Sequence, residues 1–336
     1  MSRTTQSTDL IPIELFSYIL IHLDSGSVYQ CTLLNRRFSQ SAIPHLWKAL
    51  QPSSLRSWQG IINTLSLSSS FDDYGQHVKH VNFSALPAWE AQQVTDAMVE
   101  ILLTRCQSLR GLYFTRLQRL STLSLVHIAN FHTDTLETLD LSACSQFSGA
   151  ELHSLFMDPN ATTPDSPTPS SLSSISFLSS TPNSSLSSNI IITTTTTTDF
   201  QVVPRRFSQL TTLNLSSCSH GVSDALILAI ARASPHLRHL YLHRSGNVSD
   251  VALVSLAHYC PNLETLHITL PEGFIQSNKI TDVAIRALAQ GCKRLRVVVV
   301  RGQTRITAAV EAALVRECWS LEKVDFSLEL PAGLVG

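Results

Sequence analysis

The segment that decides the fold reads Leu237-Arg-His-Leu240-Tyr-Leu242, and 26 residues later it returns as Leu263-Glu-Thr-Leu266-His-Ile268. Both copies follow the pattern L-x-x-L-x-L, which is typical of the strand in a leucine-rich unit of roughly 20–29 residues. Strict copies also occur at 136–141 and 210–215, and looser ones around Val78, Leu109, Leu295 and Leu321. This period predicts a solenoid, because each unit leaves an apolar face that only its neighbours can cover.

The second half of each unit repeats as well. A branched apolar residue, a hydroxyl residue and an aspartate precede an apolar, helix-like stretch at 94–96, 222–224, 248–250 and 280–282. Hydroxyl and carboxylate oxygens accept hydrogen bonds from the unpaired amides of a helix start, and the negative charge suits the helix dipole. Each unit is therefore predicted to be strand, turn and capped helix. We expect weaker caps at 147–149 and 306–308, which depart from the pattern.

Cysteine is part of the same repeat. Cys106, Cys260, Cys292 and Cys318 each lie three residues before a first leucine position, and Ser234 takes that place in another unit. Cys144 and Cys218 instead lie three residues after a strand, where a side chain can turn inward towards loop backbone. We interpret all six as small buried residues of a stacked ladder rather than as a metal or redox site.

Taken together, these features resemble the cysteine-containing class of leucine-rich repeats, from about residue 75 to residue 330 apart from one insertion. The resemblance implies an α/β solenoid, a horseshoe with parallel strands on its concave face and helices outside. Composition fits a folded chain, with 43% hydrophobic residues and 15% charged residues.

A different pattern precedes the repeats. Residues 11–23 place apolar side chains at helical spacing behind Pro12, a residue suited to a helix start. A polar turn, a second apolar stretch, the pair Arg36-Arg37 and finally Leu46-Trp47 follow. Three short helices cannot hide this much apolar surface among themselves, so the module is expected to need a partner.

This stretch resembles an F-box in Ile11-Pro12-Ile13-Glu14, Ile19, Leu23, Leu34-Asn35-Arg36-Arg37-Phe38 and Leu46-Trp47. The family departs from it in having Leu, Cys and Trp where this chain has Ile11, Asn35 and Phe38. The resemblance implies docking on a Skp-type adaptor, and through it on cullin and RING subunits, with these contact or supporting residues: Ile11, Pro12, Leu15, Ile19, Leu23, Leu34, Phe38, Leu46 and Trp47. The alternative is a helical cap that only shields the first repeat.

The domain boundaries follow from these patterns. We predict a disordered start at 1–9, the F-box at 10–50, a linker helix within 51–75, repeats at 76–157 and 206–330, and a tail at 331–336. Residues 158–205 are dense in Ser, Thr and Pro, with almost no charge, and are predicted to be a disordered insertion. Its candidate phosphorylation sites are Thr163, Ser166, Thr168 and Thr181; the alternative is a neutral loop.

On each repeat strand, residues beside the leucines should face the concave surface, because side chains alternate. The informative group is aromatic and basic: His239, Tyr241, His243, Arg244, His267 and Arg301. Such side chains suit an acidic or phosphorylated protein substrate. Three alternatives remain: a histidine metal site, a histidine general base, and a solvated surface with no ligand. Against the first two, strand spacing separates the histidines and no activated nucleophile occurs at matching spacing.

Several classes of function are not indicated. The net charge is −1, so nothing calls for nucleic acid or a membrane surface. The start lacks a secretory pattern and no apolar run is long enough to span a bilayer, so we expect a protein of the cytoplasm or nucleus. No phosphate-binding, dinucleotide or metalloprotease motif occurs, so no cofactor, metal or catalytic residue is predicted.

The prediction is therefore a non-catalytic substrate-recognition adaptor of an SCF-type (cullin-RING) ubiquitin ligase, which promotes ubiquitination and proteasomal degradation of a bound protein. It would act by proximity, holding substrate lysines near the charged enzyme. The alternative is a leucine-rich-repeat scaffold or inhibitor, of the mitotic-exit antagonist type, that acts by binding alone.

Overall fold

The computed structural model describes residues 12–67, 73–157, 206–218, 221–270 and 277–328. All of them belong to one of the chain's two units, which comprises Met1–Met157 and Arg205–Gly336. Several predictions lie outside the described residues: those for the start 1–9, for Ile11, for the insertion 158–205 with Thr163, Ser166, Thr168 and Thr181, and for the tail 331–336.

Within the described residues, nine short strands form one parallel sheet whose order follows the chain. They are β1 (Ala49–Leu50), β2 (His80–Asn82), β3 (Gly111–Tyr113), β4 (Thr138–Asp140), β5 (Thr212–Asn214), β6 (His239–Leu242), β7 (Thr265–Ile268), β9 (Val297–Val300) and β11 (Lys323–Asp325). Two more strands, β8 (Ser277–Thr281) and β10 (Gln303–Arg305), pair in parallel as a separate small sheet.

Helices separate the strands of the large sheet. The amino-terminal module contains α1 (Ile13–Leu20), α2 (Ser25–Thr32) and α3 (Arg36–Trp47). The others are α4 (Leu55–Leu67), α5 (Ala88–Ala91), α6 (Asp96–Arg105), α7 (Thr122–Phe131), α8 (Gly149–Phe156), α9 (Asp224–Ala233), α10 (Asp250–Tyr259), α11 (Asp282–Gly291) and α12 (Ala309–Glu317). This alternation with a large parallel sheet is an α/β fold, and it is consistent with the predicted solenoid.

The middle residue of each strand builds the core. Register places Leu139 beside Leu213 and Leu213 beside Leu240, and the series continues with Leu266 and Val298. These five side chains are completely buried. Because burying an aliphatic side chain contributes roughly 1.5–3 kcal/mol, this stack is a main source of stability.

The sheet begins one strand before the first predicted copy. Leu50 of β1 lies beside Val81 of β2. Helix α4 then packs on the main core through Trp58, which is fully buried. The carboxylate of Glu90, from α5, accepts a hydrogen bond from the amide of Leu55 at the start of α4. The segment predicted as a linker is therefore packed against the repeats.

The predicted hydroxyl caps are present on most helices. Ser249 Oγ accepts a hydrogen bond from the Val251 amide (3.3 Å), and Thr281 Oγ1 accepts one from the Val283 amide (3.2 Å). Thr95 makes no such side-chain cap. The aspartates act differently from the prediction, because their carboxylates bond to the next unit. Pairs of this kind, which we call the aspartate ladder, are Asp96 with Ser121, Asp224 with Ser249, Asp250 with Thr281, and Asp282 with Thr307.

The expectation of a weak cap at residues 147–149 is wrong. Ser148 Oγ accepts from the Glu151 amide (3.3 Å) while the Glu151 carboxylate accepts from the Ser148 amide (2.7 Å), which is a reciprocal capping box. The sequence comparison considered only the missing aspartate and overlooked the glutamate three residues on. At the other departure, α12 begins behind Ala308 without a side-chain cap, as expected.

The repeat cysteines lie in the core as free thiols. Cys218 Sγ donates to the Leu141 carbonyl oxygen (3.1 Å) and Cys144 Sγ to that of Phe114 (2.9 Å), which is the predicted inward turn towards loop backbone. Burial raises the pKa of Cys106 and Cys260 to about 12, so these thiols remain protonated. At the end of α7, the buried residue His132 takes the place that cysteine holds elsewhere.

None of the helices in the described ranges has both the length and the apolar character needed to cross a membrane.

Candidate partner-binding surfaces

Helix α1 presents apolar side chains on two sides. Phe16 and Leu20 are buried and pack with Val28 in a small core of the amino-terminal module. Leu15 and Ile19, four residues apart and so on one face of the helix, are each 48% exposed. Apolar side chains grouped in water are typical of a surface that another protein covers.

The predicted adaptor-binding residues separate into two groups. Pro12, Leu15, Ile19, Leu23 and Leu34 are exposed on the module. Phe38 and Leu46 are half-buried against the small core, and the rings of Phe38 and Phe16 lie 4.3 Å apart. Trp47 instead packs on the main core and stacks on Tyr74 at 4.9 Å. The first group can touch a partner directly, whereas the second supports the module and its joint.

Four further exposed apolar residues were missed in the sequence. Tyr18, Ile21, Tyr29 and Leu33 are all more than half exposed. Helical spacing was used to find a single apolar stripe, so residues outside that stripe were left out. The turn between α1 and α2 also borders a shallow cleft of about 270 Å³, lined in part by Ile21, Leu23 and Leu46, with Lys48 at its edge.

The second surface is the open face of the large sheet, defined by the side chains on either side of each buried middle residue. Along β4 and β5 this face is polar and its side chains are already engaged. The Asp140 carboxylate accepts from the Ser142 amide (2.8 Å), and Asn214 Oδ1 accepts from the Ser216 amide (3.0 Å). These turns orient the chain as it leaves the sheet.

From β6 onward the open face carries large aromatic and basic side chains. All six predicted substrate-binding residues lie here, and we call them the histidine patch: His239, Tyr241, His243, Arg244, His267 and Arg301. The His267 ring lies 5.3 Å from the ring of Tyr241 and 5.3 Å from the ring of His243, centroid to centroid. His239 Nδ1 lies 3.1 Å from Thr265 Oγ1.

Arg301 is held in position by Asp325. Its Nε and Nη2 donate to one carboxylate oxygen at 2.9 and 2.6 Å. This pairing lowers the pKa of Asp325 to about 2. Burial is the largest cause that lowers the pKa of His267, and the positive charges of His243, Lys323 and Arg301 act in the same direction. The pKa of His239 is likewise lowered, mainly by burial.

Arg244 differs from the rest of the patch because it follows the strand rather than lying on it. Its φ is 63°, in the left-handed region, and its amide donates to Thr269 Oγ1 (3.1 Å). Arg116, Ala143 and Ser217 adopt the same conformation at the matching turn of their own units. Strand alternation therefore does not set the direction of the Arg244 side chain.

Thr265 and Thr269 are two patch neighbours that sequence reasoning missed. They occupy the strand positions of His239 and His243 one unit later, so the register could have identified them. Their hydroxyl groups contact the patch directly. Among the residues that the structure describes, no group of three or more His, Cys, Asp or Glu side chains could hold a metal ion.

Comparisons with known proteins give limited matches. The sequence model of no protein family matches this chain. A segment of 69 residues is 35% identical to the antagonist of mitotic exit network protein 1 of Saccharomyces cerevisiae, and it covers 20% of this chain and 12% of that protein. Among solved structures, the crystal structure of a yeast complex of Rad7 and Elc1 is similar with a TM-score of 0.46 and 17% identity, covering 82% of this chain and 69% of that chain.

Proposed function

We propose that this chain is the substrate-recognition adaptor of an SCF-type (cullin-RING) ubiquitin ligase. Its amino-terminal module binds a Skp-type adaptor and the open face of its sheet binds a protein substrate. The chain contributes no catalytic residue and acts by holding the substrate near the ubiquitin donor. The observation that carries the proposal is the exposed apolar face of α1, at the place where the sequence resembles an F-box.

Burial supports a docking role for that face. The small core beneath α1 is supplied by Phe16, Leu20, Val28 and Ala42. Leu15 and Ile19 are not needed for that core, since they point away from it and are half exposed. Nearby Tyr18 and Tyr29 supply large, rigid side chains, and tyrosine is enriched among residues that dominate binding energy.

The joint between module and repeats supports the proximity mechanism. The Lys48 carbonyl, directly after α3, accepts the amides of Lys79 and His80 at 2.9 and 3.1 Å. Trp47 stacks on Tyr74 across the same joint. A packed connection would keep the substrate surface at a defined distance from the adaptor.

The test is a pull-down of the purified full chain with a Skp-type adaptor, using Ile19→Asp and Leu34→Asp as variants. Covering the exposed half of Ile19 is worth about 1 kcal/mol, and a carboxylate trapped in an apolar contact costs several more. We expect binding to weaken at least about a hundredfold in either variant. The matched control is Leu123→Asp, on exposed α7, which should bind as the wild type does.

Circular dichroism checks that all variants keep the helices and the sheet. If the folded wild-type chain does not bind the adaptor, or if Leu123→Asp weakens binding as much as Ile19→Asp, the ligase proposal is refuted.

A second candidate is favoured by one observation, the matched segment of a protein named as an antagonist of the mitotic exit network. In that case the repeats would occupy a partner and inhibit it by binding alone. Reconstituted ubiquitin transfer separates the two: an adaptor-bound chain that binds its partner without promoting transfer would favour the inhibitor.

A further inference from the structure

The strands of the open face end in a row of equivalent positions. The Ser217 amide donates to the His243 carbonyl (2.8 Å) and the Ser245 amide to the Thr269 carbonyl (2.9 Å), which continues the sheet one step beyond the strands. The Arg301 amide donates to Ile268, so Arg301 lies beside Thr269. His243 and Arg301 therefore flank Thr269, at about 5 Å per strand.

We propose that a phosphorylated segment of the bound protein places its phosphate over Thr269, between His243, His267 and Arg301. The inference rests on the proposed function in one respect, which is that the bound protein is a ligase substrate. It assigns the substrate class to the histidine patch: a peptide that carries phosphoserine or phosphothreonine.

Fixed donors support a phosphate at this point. The Thr269 hydroxyl oxygen accepts the Arg244 amide, which orients the hydroxyl to donate its proton to an oxygen above it. Arg301 is held through Nε and Nη2 by Asp325 and is 38% exposed along its side chain. A guanidinium fixed in advance loses little freedom when it binds an anion.

The charges around His267 also suit a dianion. His243, Lys323 and Arg301 are the basic groups that act on it, and Asp325 is the opposing carboxylate. That carboxylate is already matched by Arg301, which leaves an excess of positive charge. A phosphate group carries nearly two negative charges and three acceptor oxygens. With a net charge of −1, the chain as a whole is better suited to one phosphate than to a polyanion.

The rings beside this point provide contact for the rest of the peptide. Tyr241 and His267 lie 5.3 Å apart on adjacent strands. Val299, next to His267, is only 3% exposed, so the floor of the patch is already packed. The peptide backbone can therefore rest on a preformed aromatic surface.

The experiment immobilises the full chain and measures retention of a degenerate peptide pool with a central phosphothreonine. The same pool after dephosphorylation, and a uridine oligonucleotide as competitor, are the comparison probes. The wild-type chain should retain the phosphorylated pool at least about tenfold better. Thr269→Val, which preserves shape and removes the hydroxyl, should lose most of that preference, and so should His267→Gln combined with Arg301→Gln. The matched control, Arg110→Gln, replaces an arginine paired with Glu137 elsewhere on the sheet and should bind as the wild type does.

Three outcomes would overturn the inference: equal retention of both pools, unchanged preference in Thr269→Val, or displacement of the peptides by the oligonucleotide. Adaptor binding is measured on the same preparations. Lost peptide preference with intact adaptor binding refutes the phosphate site alone. Lost adaptor binding with intact peptide preference refutes the ligase proposal and leaves the phosphate site supported.

Discussion

Replacing Asp250 by alanine should loosen the interface between two neighbouring units. The carboxylate accepts the Thr281 amide and the Thr281 hydroxyl, each at 2.7 Å. It also lies in the first turn of α10, where a negative charge is favourable. Alanine leaves the amide at the start of α11 without this acceptor.

The expected effect can be estimated from these contacts. A hydrogen bond to a charged group contributes about 1.5–3 kcal/mol, and loss of the charge at the helix start removes about 0.3–1 kcal/mol more. The two bonds share one half-buried carboxylate, so their energies are not additive. We expect Asp250→Ala to lower local stability by about 2–3 kcal/mol. Asp250→Asn, which keeps an acceptor for the amide, should lose about 1 kcal/mol.

Native-state hydrogen exchange is the appropriate assay, because repeat proteins can open locally and a single unfolding midpoint averages over the units. Exchange of the Thr281 amide should accelerate by roughly 30- to 150-fold in Asp250→Ala. The matched control is Asp134→Ala, an exposed aspartate after α7, which should leave that rate unchanged. Equal acceleration in the control, or none in Asp250→Ala, would refute the ladder's role in joining units.

Three other substitutions test packing and buried charge. Gly60→Ala should raise stability by about 0.5–1 kcal/mol in urea denaturation, because nothing lies within 4 Å of the new methyl group inside α4. Gly291→Ala should instead destabilise by about 1–3 kcal/mol or more, since its methyl group would lie 2.1 Å from the Ala257 carbonyl oxygen; equal effects of the two would contradict the packing of α10 on α11. Burial lowers the pKa of His132 despite its contact with the Leu103 carbonyl, so its stabilising effect is complete above about pH 6.5 and is lost as pH falls. His132→Gln should show a smaller loss of stability between about pH 7 and 5, and an unchanged pH dependence would contradict this assignment.

The repeat could be predicted because its signal is periodic and local. Leucines at L-x-x-L-x-L spacing, such as Leu213 and Leu240, are the buried middle residues of adjacent strands. The inward cysteines could be placed for the same reason. Position in the repeat sets burial, and burial decides which side chain can occupy the position.

The cap at Ser148 and the aspartate ladder show where this reasoning stopped. A hydroxyl before an aspartate predicts a helix start, but Asp250 and Thr281 are 31 residues apart and meet only when units stack. Glu151 supplies the missing half of the Ser148 cap from the following turn. Both contacts depend on geometry that no single window of sequence contains.

The sequence by itself determined the period, the alternation of strand and helix, the six histidine-patch residues and the apolar character of the first helix. Periodicity carries this information, because one pattern is repeated in each unit. Only the tertiary structure decided which side of α1 is buried, that Trp47 belongs to the joint, and that Arg301 is paired with Asp325. Those outcomes depend on distances between units, and helical or strand spacing specifies a face without specifying what lies against it.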